Sequence, residues 1–413
     1  MKEKKVVTRE VSKRYKKARK GEKRLILDEF VSLTGYNRSY AARILRKEPK
    51  MANNLTKKRR LKRRIYGEEV FLALKKIWSV SDFICGKRLQ LFLPELTSRL
   101  ERFGEIKIED EVRGKLLVIS PATIDRLLAC ERRKIQLKGR STTKPGTLLK
   151  NQVPIRTFSD WDEKKPGFVE IDLVSHDGGN PKGDFIQTLD VTDVFSCWTE
   201  TKAVKNKAQR WVFEALKEEG ERFPFPILGI DSDNGSEFIN NHLLRFCQNE
   251  KITFTRSRAY RKNDNCFVEQ KNYSVVRRAV GYLRHDTDEE LQVLNELYNH
   301  LRLYTNFFQP TMKLIEKERV GSRVKKKYDQ AKTPYQRVML SGDVPEKNKK
   351  KLKMEYATLN PAELKRKVTM LQNKLIKLAT LKQQLKRQRQ EEDKDFEYIS
   401  DEATNPHFEY IFT

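Results

Sequence analysis

The chain has 413 residues, room for about two to four domains, and a formal net charge of +29. Such an excess carries no fold information; it points to a polyanionic partner, nucleic acid first. No apolar stretch is long enough to span a bilayer, the start Met1-Lys2-Glu3-Lys4-Lys5 has no signal-peptide core, and the five cysteines are scattered without zinc-finger spacing, so a reduced, cytoplasmic, nucleoid-associated protein is expected.

Residues 1–50 read as a small helical domain. Leu25, Ile26, Phe30 and Leu33 recur at helical spacing, Thr34-Gly35-Tyr36 breaks the pattern, and Asn37 can cap a second helix through Tyr40, Ala41, Ile44 and Leu45. Helix, short Gly-containing turn, helix is the pattern of a helix-turn-helix, whose second helix would present Arg38, Ser39 and Arg43 to DNA. Residues 51–66 form a basic linker. Its run Lys57, Lys58, Arg59, Arg60 and onward to Arg64 suits phosphates and carries no base information.

Residues 67–140 form a second helical block, with Val70, Leu72, Leu74, Ile77 and Trp78 as candidate core. Ser120-Pro121 opens a helix as N-cap and N1 proline, and Thr123 and Arg126 would face DNA if this block is another helix-turn-helix; simple helix packing is the alternative. Residues 141–160 read as a linker. Within 161–305, strands are predicted at Phe168–Val174, Phe185–Val191, Phe195–Lys202, Ile227–Asp231 and Ile252–Thr255. Helices are predicted at Ala208–Phe223, with Trp211, Ala215 and Leu216 inward, at Glu237–Asn249, and after Asp286. Residues 306–358 read as a basic linker. Asn360-Pro361-Ala362-Glu363 then starts a helical segment, 359–392, whose Leu364, Val368, Leu371, Leu375 and Leu378 suit a coiled coil or a helical hairpin; 393–413 is an acidic tail.

Three carboxylates stand out. Asp172 lies in the apolar run Phe168-Val169-Glu170-Ile171-Asp172-Leu173-Val174, where an unpaired charge is costly. Asp233 precedes Asn234-Gly235-Ser236-Glu237-Phe238, and Glu269 opens a helix in Asn265-Cys266-Phe267-Val268-Glu269-Gln270-Lys271-Asn272. Asp231, Asp190, Asp193 and Glu237 are nearby decoys, and Asp264 reads as a helix cap.

These motifs, with Asp190-Val191-Thr192-Asp193-Val194-Phe195-Ser196 and Tyr298-Asn299-His300-Leu301-Arg302, resemble the catalytic core of the DDE transposase and retroviral integrase superfamily, and the whole chain resembles a bacterial insertion-sequence transposase. The resemblance implies an α/β protein. Its ribonuclease-H-like core, a mixed five-stranded sheet with helices, would follow all-α helix-turn-helix-type domains and precede a C-terminal helical or coiled-coil segment. It implies that Asp172, Asp233 and Glu269 hold two Mg²⁺ ions, Mn²⁺ being acceptable to the same oxygen ligands. The implied reaction is hydrolysis at a transposon end to free a 3′-OH, then transfer of that strand into target DNA, by a homodimer or higher oligomer on double-stranded DNA. A ribonuclease-H-like endonuclease without strand transfer and a non-catalytic DNA-binding regulator are the alternatives. Arg258, Arg261 and Lys262 would line the DNA channel, and Lys271, Asn272 and Arg277 would contact the DNA end. Integrase-like enzymes often have Lys four residues after the Glu; here it is Tyr273, a DNA contact or a core residue.

Overall fold

In a computed structural model of the chain, residues 2–46, 65–134, 165–257, 265–320 and 323–403 are described. Lys57, Lys58, Arg59, Arg60, Arg258, Arg261, Lys262, Asp264 and most of both expected linkers lie outside them. The chain divides into two units, Met1–Ile65 and Tyr66–Thr413.

The first unit packs α1 (Lys2–Lys17), α2 (Lys20–Thr34) and α3 (Arg38–Arg46) around Tyr15, Ile26, Leu27, Phe30, Ala41 and Leu45. The α2–α3 turn works as its residue types require. Gly35 adopts φ 69°, a left-handed C-cap open to glycine without strain, and its N–H donates to Val31 O at 2.8 Å. Asn37 Oδ1 then accepts from Ser39 N–H at 3.0 Å. Leu25 and Leu33, expected inward, are 71% and 68% exposed; the helix turns Ile26, Leu27 and Phe30 to the core instead.

The second unit begins with α4 (Glu68–Val80), α5 (Gly86–Arg102), α6 (Asp110–Leu117), α7 (Pro121–Leu127) and α8 (Ala129–Arg133). Ser120 caps α7 as expected, its Oγ accepting from Thr123 N–H at 3.3 Å. Val70, Leu74, Ile77 and Trp78 are buried, whereas Leu72 faces solvent.

The sheet follows: β1 (Phe168–Ser175), β2 (Gln187–Asp193), β3 (Thr199–Val204), β4 (Gly229–Ser232) and β5 (Thr253–Arg256), in the order β3-β2-β1-β4-β5. β1 to β3 form an antiparallel meander; β4 and β5 add parallel to β1. The parallel pairings need crossovers, which α9 (Gln209–Arg222) and α10 (Asn241–Asn249) supply. On α9 the inward face is Val212, Ala215, Leu216 and Glu219, with Trp211 36% exposed rather than buried.

After β5, α11 (Cys266–Lys271) runs through a π-helical stretch, Asn272–Arg277, into α12 (Arg278–Val280). Next comes α13 (Asp288–Phe308), capped by Thr287 and Glu290 in a reciprocal box, not by Asp286. Asp286 is instead ion-paired to Arg284 and Lys382.

The stretch expected as a linker, 306–358, is folded. It holds the end of α13, a hairpin of β6 (Leu314–Val320) and β7 (Arg323–Tyr328), α14 (Pro334–Leu340) and α15 (Glu346–Thr358). Charged residues on both of its faces, with no hydrophobic alternation, hid the hairpin. α16 (Pro361–Ala403) starts where Asn360 Oδ1 accepts from Ala362 N–H at 3.0 Å, and stays helical into the expected acidic tail. Its buried stripe Leu364, Val368, Leu371 and Leu375 packs on α13 of its own chain.

The helices α4–α7, the sheet and α13–α16 share one apolar core. Tyr304 of α13 donates to Val80 O, and Asp82 pairs with both Arg278 and Lys365. Arg99 of α5 donates to Tyr356 O at 2.7 Å while its guanidinium lies 3.7 Å from the Tyr356 ring centroid.

Candidate active site

Side chains two apart on a strand share a face, and the register of β1 against β4 exploits this. Glu170 stands beside Asp231 and Ile171 beside Ser232. Two residues on from Glu170 and Asp231, where β4 has just ended, come Asp172 and Asp233. The two strands thus carry two tiers of carboxylates, an inner pair and an outer pair.

The inner tier is fully buried and hydrogen-bonded. Glu170 Oε2 accepts from Phe267 N–H and Val268 N–H, both at 2.8 Å, and so caps the first turn of α11 from the neighbouring strand. Burial pushes its carboxyl well above the usual range, against those two donors, and the charge of Asp231 adds to the rise. Asp231 accepts from the Thr255 hydroxyl. With its amide oriented to satisfy both neighbours, Asn265 donates to Asp231 Oδ2 at 2.9 Å and accepts from Asp233 N–H at 3.1 Å. Asp231 is therefore committed within the fold and leaves the outer position to Asp233.

In the outer tier, Asp172 Oδ1 accepts from Leu173 N–H at 2.8 Å and Oδ2 from Asn272 Nδ2 at 2.6 Å. Burial and then the charge of Asp233 push Asp172 up to about 7, with Glu269 contributing. Asp233 Oδ1 accepts from Gly235 N–H at 2.8 Å; burial, and after it the Glu237 charge, raises this carboxyl to about 6. Asn234 is pinned by donating to Ser257 O and accepting from Arg256, both at 2.9 Å, which holds the turn after Asp233. Glu269 is exposed on α11 within electrostatic range of Asp172. Asp172 is thus within electrostatic range of both Asp233 and Glu269, while among the described residues no three such groups stand close enough to hold a metal ion.

The hairpin decoys have other duties. Asp193 accepts from Gly167 N–H at 2.8 Å and from the N–H and Oγ of Ser196 at 2.6 Å. Asp190 is buried opposite Asp172 in the β1–β2 ladder, and burial raises it to about 8 against the charge of Lys271.

The expected DNA-end contacts divide. Lys271 is 5% exposed and faces Asp190 electrostatically, so it is an interior cation rather than a surface one. Asn272 is spent on orienting Asp172. Arg277 donates to Ser175 O at 2.8 Å and Gly281 O at 3.2 Å and lies over the Tyr282 ring, a structural role. Tyr273 is 60% exposed, which removes the core reading. Arg126 is exposed and donates to Thr123 Oγ1 at 3.0 Å. In the first unit, Arg38, Ser39 and Arg43 are exposed on α3; Arg38 is ion-paired with Asp28 and Arg43 lies 5.3 Å from the Tyr40 ring centroid.

Sequence reasoning missed Glu170 and Asn265. An acid two residues before Asp172, on the same strand face, was the available signal for Glu170. Asn265 had none, because its role depends on where α11 begins in space.

A mixed five-stranded sheet of this order, flanked by helices and carrying carboxylates within β1 and just past β4, is an integrase-like core. Residues 162–262 match the integrase core domain family. The uncharacterised protein y4rM of Sinorhizobium fredii is 42% identical over 323 residues, covering 77% of this chain and 90% of that protein. The chain belongs to the DDE transposase and integrase-like proteins, in one family with y4rM. It is also similar to the catalytic core of BIV integrase, 15% identical over 46% of this chain and 98% of that one, TM-score 0.28. The HTLV-2 integrase core solved with magnesium is 15% identical over 42% and 97%, TM-score 0.29.

Proposed function

We propose that this protein is a DDE transposase that binds transposon-end DNA, hydrolyses a phosphodiester there to free a 3′-OH, and transfers that strand into target DNA. One observation carries the reading. Asp172, within β1, and Asp233, one residue past the end of β4, lie on adjacent strands, and Glu170 pins the helix that bears Glu269 to β1. Burial raises both carboxyls and the Asp233 charge raises Asp172 further, which is the electrostatic signature of a site short of positive charge.

Hard oxygen donors fit Mg²⁺ or Mn²⁺. Among the described residues no three such groups stand close enough together to hold a metal ion, so cation binding would have to draw Glu269 toward Asp172 and Asp233. Asp172, Asp233 and Glu269 would hold the divalent cations. Bound there, the cations would supply Lewis acidity to the attacking and leaving oxygens. The chain's own residues do the positioning. Asn272 fixes one oxygen of Asp172 and leaves the carboxylate's orientation set, and the Gly235 N–H does the same for Asp233. Glu269 and Tyr273 stand exposed on the same helix, open to a DNA end. No side-chain nucleophile is required, since water attacks first and the freed 3′-OH second.

Arg38, Ser39 and Arg43 on α3, with Thr123 and Arg126 on α7, are the proposed DNA contacts of the helical parts, and a homodimer or higher oligomer would pair two ends. Among the described residues no helix is long and apolar enough to cross a membrane.

The test incubates purified protein and the DNA flanking its own gene with supercoiled plasmid, in Mg²⁺ and in EDTA, beside Asp233→Asn and Glu269→Gln. Metal-dependent joining that both variants lose, with DNA binding kept, is the expected result. Cleavage without joining would make it a ribonuclease-H-like endonuclease, and binding with neither a regulator.

A further inference from the structure

The hairpin β6–β7 contains six Lys or Arg and two Glu, and its two faces differ in charge. In an antiparallel ladder, directly paired residues share a face and alternate pairs take opposite faces. One face holds the pairs Glu316↔Lys327 and Glu318↔Lys325, each an ion pair of 3.8 Å. Both glutamates of the hairpin are matched there, and Arg323, paired with Val320 on the same face, adds one further cation. The other is built on the pairs Lys317↔Lys326 and Arg319↔Val324, with Tyr328 next along β7, and no acid occupies it. Lys326 is exposed, Val324 is 44% exposed and Tyr328 46% exposed. A ribbon that confines its two glutamates to one face and sets basic residues with an aromatic on the other suits a polyanion.

We infer that the Val324–Lys326–Tyr328 face of this hairpin is a DNA-binding ribbon that seats on the sugar–phosphate backbone of duplex DNA. The choice of duplex DNA among polyanions rests on the function proposed above. Strands of this length span about 20 Å, and a two-stranded ribbon fits the major groove. Lys326 supplies a phosphate contact, and Tyr328 and Val324 cover sugar. Nothing on this face selects sequence, so its contribution is to affinity and orientation.

The test compares Lys326→Ala with Lys325→Ala in the full chain. The two remove the same charge from opposite faces of one strand, both at exposed positions where stability should hardly move. Binding to a labelled duplex of arbitrary sequence is followed by anisotropy between about 50 and 200 mM salt. Lys326→Ala should weaken binding several-fold and flatten the salt slope by about 1. Lys325→Ala should change both less, and Lys326→Arg should restore wild-type binding. Equal losses in the two alanine variants, or none in Lys326→Ala, would overturn the inference. So would a Lys326-dependent preference of the wild type for single-stranded RNA or for phosphatidylglycerol vesicles over duplex. Joining of DNA ends by a Lys326→Ala protein that binds as wild type sinks the ribbon alone. Loss of duplex binding in Lys326→Ala, with no joining by the wild type, sinks the transposase reading and keeps the ribbon.

Discussion

Glu170 on β1 accepts both Phe267 N–H and Val268 N–H at 2.8 Å, tying the helix that carries Glu269 to the strand that carries Asp172. The position of the third carboxylate is therefore set by a residue that takes no part in the chemistry. Glu170→Gln keeps an acceptor for these donors and removes a charge beside Asp231. It should fold with a Tm equal to or above wild type and retain activity within several-fold. Glu170→Ala leaves two buried N–H groups unpaired, at a cost of roughly 1–3 kcal/mol each, and should lose most joining activity. Thermal melts and the plasmid-joining assay read the two effects; equal behaviour of the variants would dismiss the tether.

The outer carboxylates make a pH prediction with a definite sign. Asp172 and Asp233 are raised to about 7 and about 6, above their unfolded values. Their protonated forms favour the folded state, so this contribution is complete at pH below about 4 and is lost as pH rises through 6 to 7. A cation competes with those protons. The rise in Tm on adding Mg²⁺ should be large at pH 8, shrink through pH 7 to 6, and vanish near pH 5. A Tm increment independent of pH, or unchanged in Asp233→Asn, would place the cation elsewhere.

Arg38 on α3 is held by Asp28 on α2, an exposed pair. Contact with a phosphate requires Arg38 to leave it. Asp28→Ala should hardly alter stability, but should tighten binding to arbitrary duplex and steepen the salt slope by up to about 1. Arg43→Ala should weaken binding. If Asp28→Ala leaves the titration unmoved, α3 does not meet DNA through Arg38.

Lys382 donates to Asp286 and Glu290, both at 2.6 Å, and joins α16 to the start of α13. Glu290 is 1% exposed, yet its carboxyl lies at about 2, the bonds from His285 and Lys382 outweighing burial. Lys382→Met strands that charge and should cost about 3–5 kcal/mol. Pairing it with Glu290→Gln should recover part of the loss. Denaturant melts of the single and double variants would show this; strict additivity would argue that the groups act independently.

The fold was legible where pattern and local chemistry agree. The strand around Asp172 announced itself by an apolar run, α7 by Ser120 and Pro121, and α16 by Asn360 and Pro361. The three carboxylates proposed as the triad stood out because each sat in a distinct local setting. What stayed hidden depends on distance in space. Lys271 looks like any helix-borne cation until the sheet closes over it, and Asn272 until it meets Asp172. The 306–358 stretch hid because a hairpin with charges on both faces shows no hydrophobic alternation, and because Pro334 and Pro345 resemble linker punctuation.

The run of Leu364, Val368, Leu371 and Leu375 along α13 has a practical consequence. The proposed triad lies between Asp172 and Glu269, yet the back of that region is upholstered by a helix beginning almost a hundred residues later. Cutting the chain after Phe308 would strip α13 and lay bare the apolar face it now shelters. The smallest piece able to react and the smallest piece able to stay folded are different lengths of polypeptide, and trimming toward the first should yield aggregates before it yields a minimal enzyme.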